Sequence, residues 1–258
     1  MTNTLFLEAN HSIAYVTIQS PPANALSSIL LKDLEAVLNK IEGDSSIKAI
    51  VLKGEGKFFS AGADIKEFTA LQQASDYESM AKRGQDLFAR METFHIPIIA
   101  AIHGAALGGG LELAMACHMR IITKEAKLGL PEITLGIIPG FAGTQRLPHF
   151  VGSAKAYEMI LTGEPINGEE AYSYGLANKV VEEDALEEEV KQLAEKIVSK
   201  SKLTIQQIMR LIPYAKTSLF AEGVSEEAKA FGEIFGSEDA KEGVQAFIEK
   251  RKPNFQDN

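Results

Sequence analysis

An α/β (α+β) fold built from repeated strand, strand and helix is what this sequence predicts, on three observations. Short apolar runs rich in β-branched residues alternate with longer stretches of helical periodicity up to about Ala185. The connections between them are short, which favours helices packed outside sheets. Beyond Ala185 the strand signals stop and only helical periodicity remains.

The elements follow in order. Residues 5–9 and 13–18 read as a hairpin, 27–41 as an amphipathic helix and 49–53 as a strand. In that helix Ile29, Leu30, Leu34, Val37, Leu38 and Ile41 fall on one stripe, the face a packed helix buries. A second helix is expected over about 75–94, a strand over 98–102, a helix beginning near Gly109 and a strand over 120–123. The apolar run Ile96-Pro97-Ile98-Ile99-Ala100-Ala101-Ile102 is far below the ~20 residues a membrane-spanning helix needs, so it reads as a buried strand. Helices are then expected over 186–199, 203–215, 219–235 and 239–249. The acidic residues Glu182, Glu183, Asp184, Glu187, Glu188 and Glu189 read as a solvated helix start, where the macrodipole favours negative charge.

Composition bounds the function. A chain of 258 residues buries roughly 70–75% of its unfolded surface, enough for one substantial core. With 26 Lys plus Arg against 35 Asp plus Glu, the net charge of -9 argues against nucleic-acid binding and requires a local basic patch for any anionic ligand. A single cysteine, Cys117, excludes an internal disulfide and fits a reducing compartment. Met1-Thr2-Asn3-Thr4 lacks the basic stretch and apolar core of a secretory signal, so the expected location is the cytoplasm, away from membranes. The histidines His11, His95, His103, His118 and His149 show no paired ligand spacing, and no metal site is expected. His103, at a strand end before Gly104, is either a site-lining or a hydrogen-bonded structural residue.

Chemistry concentrates in two glutamates twenty positions apart. Glu112 follows Gly108-Gly109-Gly110-Leu111, and Glu132 follows Gly129-Leu130-Pro131. Glycines let a ligand approach the backbone and leave N–H groups free at a helix start, where developing negative charge is stabilised. The run is not a dinucleotide turn, because the sixth position from Gly108 is Leu113 rather than glycine. Nor is it a phosphate loop, since Gly110-Leu111 stands where Lys and Ser or Thr are required. Tight strand-to-helix packing is the plainer alternative for these glycines. Glu112 can be a simple N-terminal charge, yet Leu111, Leu113, Ala114, Met115 and Ala116 make its helix apolar on nearly every face, and a buried carboxylate needs a reason. The helix dipole is expected to favour its ionised form, which suits a base. Glu132 after Pro131 is equally a helix-start signature, raised in interest by Leu128, Leu130, Ile133 and Leu135 around it. Two carboxylates in one dry site do not both ionise easily, so one is held as acid and one as base.

The segment Phe58-Phe59-Ser60-Ala61-Gly62-Ala63-Asp64-Ile65-Lys66 supplies small residues against which an extended ligand can lie, with Lys53, Lys57 and Lys66 as local positive charge or as ordinary solvated lysines. It is no nucleophile elbow, because Phe58 stands where the first glycine of G-x-S-x-G belongs.

Taken together, Ser60 to Lys66, His103-Gly104 through Glu112, Leu130-Pro131-Glu132 with Ile138-Pro139-Gly140, Gly143-Thr144-Gln145-Arg146-Leu147, Leu161-Thr162-Gly163 and Phe247-Ile248-Glu249-Lys250-Arg251 resemble the crotonase family, most of all its enoyl-CoA hydratases. The resemblance runs in order along essentially the whole chain. It implies a spiral core of repeated ββα units with the active site over residues 1–192, a C-terminal helical region over 193–258 that mediates trimer formation, and a homo-oligomer, a hexamer made of two trimers. It implies an acyl-CoA thioester as substrate and no cofactor, CoA being part of the substrate. By position, the N–H groups of Ala63 and Gly109 would form the oxyanion hole, with Glu112 as base and Glu132 as acid. Ala23, Ala25, Ala61, Asp64, Ile65 and Lys66 would lie along CoA, Ala61 near its adenine, and Lys250 would reach a neighbouring subunit's CoA. The implied reaction is addition of water to 2-trans-enoyl-CoA, in fatty-acid β-oxidation. The alternatives are a Δ3,Δ2-enoyl-CoA isomerase, a hydratase of a branched acyl-CoA, or a non-catalytic acyl-CoA-binding protein. Phe141-Ala142 departs from the smaller residues usual in the family, which implies a reshaped acyl pocket, and His149 stands where arginine is frequent.

Overall fold

The computed structural model describes residues 4–68, 73–215 and 217–258; residues 1–3, read above for a targeting signal, lie outside the described residues. The chain enters through an antiparallel hairpin, β1 (Leu5–Asn10) and β2 (Ile13–Ile18). His11 and Ser12 turn it with positive φ at both positions, the sense that matches the right-handed twist of the flanking strands. The helix α1 (Ser28–Glu42) is capped by the Ser27 hydroxyl, which accepts the Leu30 N–H at 3.2 Å. It buries Leu30, Leu34, Val37, Leu38 and Ile41. Ile29, expected on that stripe, is 55% exposed: one residue before Leu30 it sits about 100° round the helix, on the flank of the buried face.

Three successive strand, strand, helix units follow. The first comprises β3 (Ala49–Gly54), β4 (Phe58–Ser60), the short α2 (Ile65–Phe68) and α3 (Ala74–Glu92). The second comprises β5 (Ile98–Ile102), β6 (Ala105–Leu107) and α4 (Gly109–Ala116). The third comprises β7 (Met119–Thr123), β8 (Lys127–Gly129) and, after a 3₁₀ turn at Pro131–Leu135, α5 (Gly143–Thr162). The chain goes on through α6 (Gly168–Ser173), β9 (Lys179–Val181), α7 (Leu186–Val198), α8 (Lys202–Leu211), α9 (Phe220–Phe235) and α10 (Glu238–Glu249).

Among the described residues the sheet orders are β1-β2-β3-β5-β7-β9 and β4-β6-β8. First strands of successive units pair in parallel with one another, as do second strands, so each unit is one turn of a spiral. On the large sheet Ile50, Leu52, Ile98, Ala100 and Ile102 face the main core with α1, α3 and α4. Val51, Ile99, Ala101 and Ile121 face Leu186, Val190 and Ala194 of α7. Burial on both faces is why these strands read as unbroken apolar runs. The acidic start of α7 is more than a solvated end: Glu187 and Glu189 pair with Lys53 and Lys179, and Glu182 with Lys124.

The strands β4, β6, β8 and β9, of three residues each, are too short to show alternation. The helix α5 escaped because Pro148 and the non-helical Gly152 interrupt its pattern. Position 193, the expected boundary, lies within α7, which packs on the large sheet. The chain end returns to the body of the molecule: the buried Asp239 carboxylate accepts the N–H groups of Gln256 (2.7 Å) and Asp257 (3.0 Å). Lys48 reaches the Asp257 carboxylate (2.7 Å) and the carbonyls of Val198 and Lys200. Among the described residues no helix is long and apolar enough to cross a membrane.

Candidate active site

Backbone hydrogen bonds join two loops into one wall. Buried Asn24 donates from its amide to the carbonyls of Glu55 (2.9 Å) and Phe58 (2.8 Å), and its Oδ1 accepts the Ser20 N–H (3.0 Å). Ser60 donates its hydroxyl to the Asn24 carbonyl (2.7 Å), a structural task consistent with its failure as a nucleophile. The Ala61 N–H donates to the Ala23 carbonyl (3.0 Å), the Leu26 N–H to Gly62 (2.8 Å) and the Asp64 N–H to Leu26 (3.3 Å). Ala23, Ala25, Ala61 and Ala63 are thereby gathered, each half-buried, with Asp64, Ile65 and Lys66 following at the start of α2. Leu26 and Ala63 form a parallel bridge in which Leu26 takes its bonds from Gly62 and Asp64, so the Ala63 N–H points the other way.

The residue before Ala63, Gly62, lies against the start of α4. Gly62 has a φ of +104°, and a Cβ there would stand 2.9 Å from the Leu107 carbonyl oxygen and 3.4 Å from the Gly109 nitrogen, so only glycine permits this approach. Gly108 has a φ of +53°, and a Cβ on it would meet Glu132 Oε1 at 2.8 Å. Among the described residues no intramolecular backbone acceptor takes the N–H of Ala63 or of Gly109, the two donors expected to form the oxyanion hole.

The two glutamates meet beside these donors in contrasting environments. Glu112 is 1% exposed, and its Oε1 accepts the N–H groups of Phe141 (2.8 Å) and Gly143 (2.6 Å). Burial, aided by the Glu132 charge, nevertheless pushes its carboxyl up to about 7, while the two N–H groups and Arg146 pull it down. One of these donors, the Gly143 N–H, is the first of α5, so Glu112 also accepts from a helix start other than its own. Desolvation also raises Glu132, whose Oε2 is buried without a hydrogen-bond partner. Burial therefore disfavours the charged form of both carboxyls, and at Glu112 the two N–H donors oppose that effect.

Other expected residues lie elsewhere. Lys53 points to the α7 side and pairs with Glu187 at 2.6 Å, so it adds no charge to this wall. His103 Nε2 bonds the Gly56 carbonyl oxygen (2.7 Å) and lines a surface cleft of about 780 Å³ with Tyr15, Lys53 and Glu187; none of the catalytic candidates lines that cleft. Lys250 stands at the left-handed C-cap of α10, which packs on α9. Cys117 is buried, its thiol pushed up to about 12 by desolvation, as core filling implies. Phe141 is buried: its ring stacks edge-on against Phe88 (5.4 Å) and lies against the Cα positions of Gly84 and Gly109. The N–H donors of Phe141 and Gly143, and Asn24 as the loop tie, were not legible, because a backbone donor aimed across 29 positions leaves no mark in composition or period.

Solved structures resemble this arrangement over nearly the whole chain. An enoyl-CoA hydratase from Bacillus anthracis superposes with a TM-score of 0.93 at 36% identity, covering 99% of this chain and 100% of that one. The ββα spiral is therefore the crotonase fold. The family described as Enoyl-CoA hydratase/isomerase matches residues 8–258, and the chain belongs to that family. Among curated relatives, a probable enoyl-CoA hydratase of Bacillus subtilis is 55% identical over 98% of each chain. A short-chain-enoyl-CoA hydratase of Clostridium acetobutylicum is 42% identical over 97% of this chain and 96% of its own.

Proposed function

We propose that this chain is an enoyl-CoA hydratase, a hydro-lyase that adds water reversibly across the C2=C3 bond of a 2-trans-enoyl-CoA to give the 3-hydroxyacyl-CoA. The observation that carries the reading is the meeting of two carboxylates, Glu112 buried and held by N–H donors and Glu132 half-buried with its Oε2 unpartnered, beside two backbone N–H groups that no backbone acceptor takes among the described residues. In this reading Ala63 and Gly109 receive the thioester oxygen as it gains negative charge, and losing one such donor typically costs about 2.7–4 kcal/mol. Glu112 takes a proton from water as the oxygen bonds to C3. Glu132 delivers its proton to C2, and the proton on Glu112 returns to Glu132 through solvent to close the cycle. Each acid or base step contributes roughly 10²–10⁴ in rate.

Ala23, Ala25, Ala61, Asp64, Ile65 and Lys66 then bind CoA, and the chemistry needs no metal or other cofactor. The exposed aromatic residues Phe231, Phe235 and Phe247 support a homo-oligomer, a hexamer of two trimers, in which Lys250 reaches a neighbour's CoA and residues 193–258 mediate assembly. Cytoplasmic fatty-acid breakdown is the setting that fits. The test follows loss of the conjugated thioester with crotonyl-CoA. Wild type turns over, and Glu112→Gln and Glu132→Gln each lose about 10²-fold or more in kcat. Near-full activity in either variant rules out the paired mechanism, and migration of a 3-enoyl double bond without hydration makes the chain an isomerase.

A further inference from the structure

Glu112 is aimed by a turn, Phe141-Ala142-Gly143, that does not hold itself. Ala142 has a positive φ of 69°, a left-handed conformation that alanine adopts only when its surroundings impose it. Arg146 binds this turn twice. Its main-chain N–H donates to the Ala142 carbonyl (2.9 Å), and its guanidinium Nη1 donates to the Phe141 carbonyl. The rest of that guanidinium is clamped: Nε and Nη2 donate to the two carboxylate oxygens of Glu92, each at 2.7 Å, at the end of α3. A bidentate fork of this kind fixes orientation as well as charge. Glu92 is fixed in turn, its carbonyl bonded by His118 Nε2 (3.2 Å), while His118 Nδ1 accepts the Ile98 N–H (2.9 Å). A chain of hydrogen bonds thus runs from Glu92 through Arg146 and the turn to Glu112.

We infer that Arg146, anchored by Glu92, is a positioning residue for the hydration: by pinning the Phe141 carbonyl it keeps the N–H groups of Phe141 and Gly143 on one oxygen of Glu112 and leaves the other for the reacting water. The inference rests on the hydratase reading for its kinetic consequence. The charged groups that face Glu112 are Glu132 from the 3₁₀ turn, Arg146 from α5 and, through Arg146, Glu92 from α3; α4 itself carries no other titratable side chain. Glu132 opposes ionisation of Glu112 and Arg146 favours it. Without the arginine the turn relaxes and Glu112 binds its proton more tightly, so a higher pH is needed to make it a base.

The experiment measures crotonyl-CoA hydration against pH for wild type, Arg146→Met, Arg146→Lys and Glu92→Gln, together with the carbon-13 carboxyl titration of Glu112, assigned by its loss in Glu112→Gln. In Arg146→Met the acidic limb of kcat/KM and the Glu112 titration move upward together by about one pH unit, so kcat/KM below the limb falls about tenfold with KM little changed. Arg146→Lys recovers part of the shift, and Glu92→Gln, which leaves the guanidinium in place but loosens its clamp, shows a smaller shift of the same sign. A loss of rate equal at every pH with an unmoved Glu112 titration overturns the inference. If Arg146→Met does not fold, an unmoved limb and titration in Glu92→Gln overturn it. If wild type fails to hydrate crotonyl-CoA, the hydratase reading falls, and the carboxyl titration alone still decides whether Arg146 governs Glu112.

Discussion

At Glu112 burial and hydrogen bonding pull one carboxyl group in opposite directions. Burial wins, placing it at about 7, so the group exchanges its proton near neutrality, where a general base is most effective. The same shift affects stability with a definite sign. Below the unfolded carboxyl value of 4.5 both states are protonated, and the folded protein bears no charge penalty at this site. Between 4.5 and about 7 the unfolded chain ionises first, so stability falls as pH rises, and above about 7 the loss is complete. Glu112→Gln removes the titration. Urea denaturation is expected to show the variant gaining stability over wild type from pH 5 to pH 8, by about 3 kcal/mol at most. A difference independent of pH would mean that burial does not dominate at this residue.

Among the elements, the start of α5 matters more to the site than its irregular sequence suggests. Its first N–H, from Gly143, holds Glu112, and a Cβ at Gly143 would meet Glu112 Oε1 at 2.9 Å and Leu130 Cδ1 at 3.0 Å. The carboxylate is the far end of a flexible side chain, so it yields before the backbone does. Gly143→Ala is expected to keep the fold and lower kcat by about 10²-fold, the usual consequence of misplacing a catalytic group by an ångström. Circular dichroism and crotonyl-CoA turnover check the two halves, and a fully active Gly143→Ala enzyme would show that Glu112 does not need this donor. The strands β1, β2, β3, β5 and β7 of the large sheet were legible as apolar runs of five or six residues, and α1 because it is long enough to display a helical period. The strands β4, β6 and β8, which carry the loops of the site, were not, since three residues hold no alternation.

On the scale of the whole molecule, the C-terminal helices present apolar surface that the chain itself does not cover. Phe247 is 84% exposed, and Phe231 and Phe235 stack on one face of α9 with ring centroids 5.4 Å apart. Exposed aromatic clusters of this kind mark contact surfaces. If the chain assembles as the hexamer proposed above, replacing Phe231 and Phe247 together with aspartate is expected to shift sedimentation velocity to smaller species. A distribution identical to wild type would count against these faces as the assembly surface. Within one chain, Asp239, Lys48 and the returning tail tie α10 to the core.

The sequence by itself determined the alternation of strands and helices, the helical end and the identity of the two glutamates, because these are written in local period, in glycine positions and in the residue types chemistry demands. Only the tertiary structure decided what those residues experience. Glu112 owes its donors to a turn 29 positions away, Gly62 and Gly108 let the walls close on Ala63 and Gly109, and Arg146 reaches Glu92 across 54 positions. Electrostatic environment depends on burial and on distance through space, and neither quantity is a property of neighbouring positions along the chain.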